Sequence, residues 1–206
     1  MMSGDVSEPA PDNFRNPSKA PFPQVSFALL SYAERLQHRD IDTIDLVVIH
    51  CTELPDLATA REYGERVQHA GSQTGNSGHF YIDRDGHTEC WVPIDCAAHH
   101  VRGYNERSLG IELVNRGRWP HWYRSDCQHM PEAYPAQQVQ ALKQLLDQLE
   151  RVLPALRWIT GHEELDEEMV QSSDKPHCQV RRKMDPGPHF PWEEVFSSIS
   201  LKRFHG

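Results

Sequence analysis

The 206-residue chain has no apolar run approaching the roughly 18 residues that a membrane-crossing helix needs, which excludes a bilayer span on hydropathy. Its opening, MMSGDVSEPAPDNFRNPSKAP, has neither a basic leader nor an apolar stretch, so no secretory signal is expected and a cytoplasmic location follows. Basic charge is in deficit: 21 Lys and Arg stand against 30 Asp and Glu, a formal net charge of −9. Phosphate contacts need a basic face, so no nucleic acid is expected as a partner, and the charge gives no attraction to an anionic membrane or wall. The cysteines, at 51, 90, 96, 127 and 178, form no Cys-x-x-Cys pair and are odd in number, which suits reduced thiols rather than a disulfide framework. There is no His-Glu-x-x-His motif and no internal repeat.

What is present reads as one soluble domain with extensions, long enough to bury roughly 70% of its unfolded surface without covalent staples. Residues 1 to about 25 are proline-rich and aperiodic, and Phe27, Leu29, Leu30, Tyr32 and Leu36 space as a short helix closing an arm over 1–40. Residues 44–50 (IDLVVIH) form a β-branched run that predicts a buried strand ending on His50. Residues 57–70 read as helix, 79–83 as a strand, Asp85-Gly86 as a hairpin turn into a strand over 88–94, and 109–114 as a further strand. Pro135 suits a first helical turn, after which Val139, Leu142, Leu145, Leu146, Leu149 and Val152 share one face. A short strand over 156–160 runs into Gly161-His162, and periodicity is lost after 196. Strands interspersed with helices predict a mixed α/β fold, a central mixed sheet flanked by helices, over 41–197, with a tail at 198–206.

His50 and His162 each end a strand, where side chains project into the loops that build sites, and Asp185 sits in a Lys-Met-Asp-Pro-Gly-Pro turn. Two imidazoles and a carboxylate are a sensible ligand set for catalytic zinc with one open position, although a hydrogen-bonded structural histidine fits the pattern as well. Glu112 interrupts an apolar strand (LGIELV) and shares a face with Gly110 and Val114. It reads either as a solvent-facing edge glutamate or as a general base beside a metal site.

The segments VVIHCTE, GHFYIDRDG, AHHVRGYNERSLGIELVN, ITGHEE and RKMDPGPHFPW, in that order, resemble the zinc-dependent N-acetylmuramoyl-L-alanine amidases over roughly residues 42–196. That group includes the AmpD-type recycling enzymes, amidase-type phage lysozymes and peptidoglycan-recognition proteins. The resemblance implies the amidase fold, Zn2+ as cofactor, and cleavage between N-acetylmuramic acid and L-alanine in peptidoglycan fragments. It implies His50, His162 and Asp185 as zinc ligands, Glu112 as catalytic base and Lys183 as the group that stabilises the oxyanion. No cysteine is then needed as a nucleophile, and the five are expected as small buried apolar side chains. His100 aligns with a family histidine near the substrate groove, Tyr104 and Asn105 fall in a Gly-Tyr-Asn turn that contacts the stem peptide or only shapes the chain, and His79 packs beneath the site, either as a structural residue or as a substrate contact. Two features depart from the family. Gly78 stands where phage-type and recognition members often carry a tyrosine. The 23 residues separating His162 from Asp185 also exceed the usual spacing, which leaves His177 or Cys178 as an alternative third ligand and an insertion over 166–182 placed to cover the cleft. The resemblance also admits a lytic enzyme acting on intact peptidoglycan, or a non-catalytic peptidoglycan-binding module.

Overall fold

The two most apolar stretches of the chain become adjacent central strands. The computed structural model describes residues 21–206, so most of the proline-rich arm lies outside the described residues. Strands β2 (Leu46–Cys51) and β5 (Ser108–Leu113) run in parallel at the middle of a seven-stranded sheet. Around them lie β1 (Val25–Phe27), β3 (Phe80–Ile82), β4 (Thr88–Cys90), β6 (Trp158–Gly161) and β9 (Lys202–Arg203), in the order β1-β4-β3-β5-β2-β6-β9. Only the hairpin pair β3–β4 is antiparallel. Helices α1 (Leu57–Gly64), α2 (Ala136–Val152), α3 (His162–Leu165) and α4 (Trp192–Phe196) connect and cover the sheet, giving a mixed α/β architecture. A second, two-stranded sheet pairs β7 (Met169–Gln171) with β8 (Gln179–Arg181).

Strand alternation assigns the faces. Val47, Ile49, Leu109, Ile111 and Leu113 pack into one fully buried cluster with the apolar stripe of α2, as the helical spacing predicts. The Gln138 side chain fastens the first turn of α2 to the sheet by donating to the carbonyls of Ile82 and Val114. Residues of opposite parity, His50, Gly110 and Glu112, therefore face away from α2. On that side Tyr81 stacks on Trp91 with ring centroids 3.4 Å apart, beside Leu30, Tyr32, Leu54 and Ala60.

Several boundaries differ from the sequence reading. Residues 27–36 do not form an α-helix: Val25–Phe27 adds a parallel edge strand to β4, and only Ala33–Arg35 makes a 3-10 turn. Phe22 and Tyr32 each find a separate burial site, Phe22 edge-on to Phe80, which extended backbone serves better than a helix. Helix α1 stops at Gly64 rather than 70, where Tyr32 takes the Gly64 carbonyl by donating its hydroxyl to it and so caps the end of the helix. Pro135 is the residue preceding α2 rather than part of its first turn. The aperiodic end of the chain supplies β9, with Leu201 buried just before it.

Leu146→Ala, at the centre of the α2 stripe, is expected to cost about 2–5 kcal/mol of unfolding free energy. The measurement is a lowered urea midpoint with an unchanged m value.

Candidate metal centre and active site

In-register pairing sets the site. His50 at the end of β2 lies directly opposite Glu112 on β5, so both side chains leave the same face side by side, with Nδ1 and Oε1 4.0 Å apart. Glu112 is on an interior strand, which removes the edge-glutamate reading, and its side chain is 15% exposed, enough to be reached from the adjoining cavity. His162 opens α3 where β6 ends next to β2, and Asp185 arrives from the turn after β8. Asp185 Oδ2 lies 3.0 Å from His50 Nδ1 and 3.1 Å from His162 Nδ1, all three residues being buried.

Hydrogen bonding shows what this trio suits. The Ser108 hydroxyl donates to the Tyr104 carbonyl at 2.8 Å, so its oxygen accepts from His100 Nε2 at 3.1 Å. His100 Nδ1 then accepts from His50 Nε2 at 3.0 Å, and the lone pair of His50 is left on Nδ1, aimed at a carboxylate oxygen. A lone pair and a carboxylate repel unless a cation lies between them. The Asp185 Oδ1 atom is also buried without a hydrogen-bond partner. Ligand atoms around a tetrahedral zinc stand about 3.3 Å apart for bonds of roughly 2.0–2.1 Å, close to the spacings here. His50, His162 and Asp185 could therefore hold a metal ion, their donor atoms all lying within 4.8 Å of one another.

Electrostatics agree with that role. Burial, with help from His162 and Lys183, depresses His50 to about 4 and keeps its imidazole neutral. Asp185 is well below the ordinary carboxylate range: burial opposes its charge, but His162, Lys183 and the imidazole contacts outweigh it. Burial and the neighbouring Asp185 charge push Glu112 up to about 8. For Lys183, burial disfavours the ammonium, but Asp185, Glu53 and Glu112 overcompensate and the group is held charged.

His50, His100, Glu112, Lys183 and Asp185 all line a cavity of about 440 Å³. His79 does not. It is fully buried, its Nδ1 accepting from the Gly110 amide and its Nε2 donating to the Cys96 carbonyl, which makes it a strut under the strands rather than a substrate contact. Tyr104 and Asn105 are also absent from the cavity lining. Asn105 Oδ1 accepts from the amides of His100 and Val101, and Tyr104 packs on Phe204, so the pair shapes the turn that presents His100. His177 is exposed and Cys178 half-buried, and neither joins the metal-competent trio. Cys51, Cys90 and Cys96 are buried as expected, but Cys127 and Cys178 are only half-buried.

The 166–182 insertion forms the β7–β8 hairpin, braced against the loop after β5: Ser173 donates to the Tyr123 carbonyl, and Asp174 accepts from the amide and hydroxyl of Ser125. That loop delivers Trp122 and Tyr123 to the cavity, Trp122 packing edge-on to Tyr63 of α1, and Glu53 and Arg182 line it as well. None of these lining residues carries a periodic signal in the sequence. Gly78 has a definite reason. A Cβ there would stand 2.8 Å from Glu112 Cγ, so a side chain at 78 and an inward Glu112 compete for one space.

Two outcomes follow. Gly78→Ala should push Glu112 out of its inward position, read in a crystal structure of the variant, while metal content, read by plasma mass spectrometry, stays unchanged. For the metal-free protein, His50 titrates near 4 when folded and near 6.5 when unfolded, so the unfolded chain binds more protons between those values and stability falls as pH drops through that window. His79 and His100, also held below their ordinary value, push the same way. Glu112 and Glu163, held above the ordinary carboxylate range, oppose this over the same window. The decline in Tm of chelator-treated protein from pH 7 to pH 5 should therefore steepen in Glu112→Gln, and a His50 imidazole seen by NMR to protonate above pH 5 would contradict the neutral assignment.

Comparison with known proteins places this geometry. The family model for N-acetylmuramoyl-L-alanine amidase matches residues 40–188. The endolysin of Klebsiella phage KP32 is 39% identical over 72 residues, 34% of this chain and 42% of the phage protein. The chain spans about half the length of the curated relatives it matches. Among solved structures, the endolysin amidase LysCS from Clostridium intestinale URNW superposes with a TM-score of 0.59 at 20% identity, covering 87% of this chain and 97% of that one. AmiD from E. coli, solved with an anhydro-N-acetylmuramic acid peptide as substrate, gives 0.58 at 22% identity over 77% of this chain and 59% of that one. At these identities the structures speak for the fold alone. With the family model spanning most of its length, this chain belongs to the N-acetylmuramoyl-L-alanine amidase family.

Proposed function

We propose that the protein hydrolyses the amide joining the lactyl group of N-acetylmuramic acid to L-alanine in soluble peptidoglycan fragments, using zinc held by His50, His162 and Asp185. The observation that carries this reading is a metal-competent trio of which His50 and Asp185 line one cavity together with the Glu112 carboxylate and the Lys183 ammonium. Bound zinc supplies a Lewis acid and acidifies water at neutral pH. Glu112 takes a proton from the attacking water and passes it to the departing alanine nitrogen. Lys183 donates to the carbonyl oxygen as it gains negative charge. His100 fixes the His50 tautomer by accepting its Nε2 proton. The raised pKa of Glu112 suits a group that must both accept and return a proton near neutrality.

The acidic net charge supports small soluble fragments in the cytoplasm, as in wall recycling, over an anionic sacculus. A second reading, lysis of intact peptidoglycan, draws its support from the relatives named endolysins. Among the described residues no helix is long and apolar enough to cross a membrane, and no membrane or nucleic-acid partner enters either reading.

The test is mass spectrometry of an anhydro-muropeptide and of purified sacculi incubated with the zinc-loaded protein. Free stem peptide from the soluble fragment, lost on chelation and restored by zinc, is expected. Release from sacculi alone would favour the lytic role. Glu112→Ala should keep stoichiometric zinc and lose about 10²–10⁴ in turnover, and near-normal turnover would remove Glu112 from the mechanism.

A further inference from the structure

The buried pair formed by Arg118 and Glu53 lies outside the chemistry described above yet ties the end of β2 and the loop after β5 to the segment that delivers Lys183. Their side chains are 1% and 8% exposed. Glu53 follows β2 three residues after His50 and sits in the left-handed region at φ 48°. Arg118 grips it with both arms, Nε to Oε1 at 2.7 Å and one terminal nitrogen to Oε2 at 2.8 Å, while the Arg118 amide also donates to Oε1. Its remaining donors reach Gln128 Oε1, the carbonyl of Arg181 at 2.8 Å and the carbonyl of Arg182 at 3.2 Å. All five guanidinium N–H groups are thereby used.

Those two carbonyls immediately precede Lys183. The loop after β5, the end of β2 and the strand leading to Lys183 are hung on one planar cation.

We propose that Arg118 is a positioning residue for Lys183, the Glu53 carboxylate holding the guanidinium so that it fixes the 181–182 backbone and aims the Lys183 ammonium into the cavity. This rests on the amidase reading and deepens it. The fork is needed because a lysine at 118 offers three donors on a point charge, too few to serve Glu53 in bidentate fashion together with Gln128 and two carbonyls. The pair also neutralises a carboxylate at the cavity wall, where an unpaired charge would compete with Asp185 for the lysine.

The experiment is a double-mutant cycle on the zinc-loaded full chain with a soluble muramyl-peptide: wild type, Arg118→Lys, Lys183→Ala and the double variant. Arg118→Lys should keep stoichiometric zinc, change KM less than about twofold, and lower kcat by about ten- to a hundredfold. In the Lys183→Ala background the same substitution should have no further effect on kcat. A structural role alone would lower Tm in both backgrounds and leave this non-additivity absent.

Reductive methylation of Lys183 in the metal-free protein, followed by peptide mass spectrometry, should accelerate in Arg118→Lys. If Arg118→Lys does not fold, Glu53→Gln, which removes one arm of the grip, should show the same non-additivity with a smaller kcat loss. Wild-type kcat in Arg118→Lys, or an equal loss in both backgrounds, overturns the proposal. Lys183→Ala with unchanged kcat removes the lysine from the mechanism and the proposal with it. An inactive wild-type protein refutes the amidase reading instead, and the methylation rate then decides the positioning claim alone.

Discussion

Parallel register between β2 and β5 is the constraint on which the site depends. Pairing His50 with Glu112 puts an imidazole and a carboxylate on the same face of adjacent strands, and alternation commits that face to the side away from α2. A shift of one residue in either strand would send its member of the pair into the apolar core and bring Ile49 or Ile111 into the cleft in its place. The α2 stripe therefore does more than stabilise the sheet. By claiming Val47, Ile49, Leu109 and Ile111, it dictates which residues are left for chemistry.

Around that register the molecule holds its polar groups in defined protonation states. A directed chain from His50 through His100 and Ser108 to the Tyr104 carbonyl leaves one lone pair facing Asp185. His79 anchors Gly110 and Cys96 below, and Gly110 must lack a side chain because a Cβ would fall 2.7 Å from the His100 ring. The buried His50 and His79 and the half-buried His100 are kept neutral chiefly by desolvation, an arrangement that favours a cation over protons.

The walls of the cleft are built differently. The loop after β5 and the β7–β8 hairpin bind one another through Tyr123, Ser125, Ser173 and Asp174, and both are attached to the end of β2 through Arg118 and Glu53. These are hydrogen bonds and an ion pair between segments far apart in sequence. They give irregular loops the fixity that the sheet gives His50 and Glu112.

The sequence by itself determined the central strands, the α2 stripe and the candidate set of His50, His162, Asp185, Glu112 and Lys183, because hydrophobic period and ordered motifs are local patterns. It determined neither the edge strands β1 and β9, which are too short to show alternation, nor the end of α1, which is capped by Tyr32. Tertiary structure alone decided that Tyr104, Asn105 and His79 support the site from outside the cavity. It alone decided too that Asp185, rather than His177 or Cys178, meets the two histidines. The same holds for Arg118, four of whose five guanidinium hydrogen bonds go to residues more than sixty positions away. Where a side chain's partners lie dozens of positions away, no window of sequence contains the contact, and only the folded register brings it together.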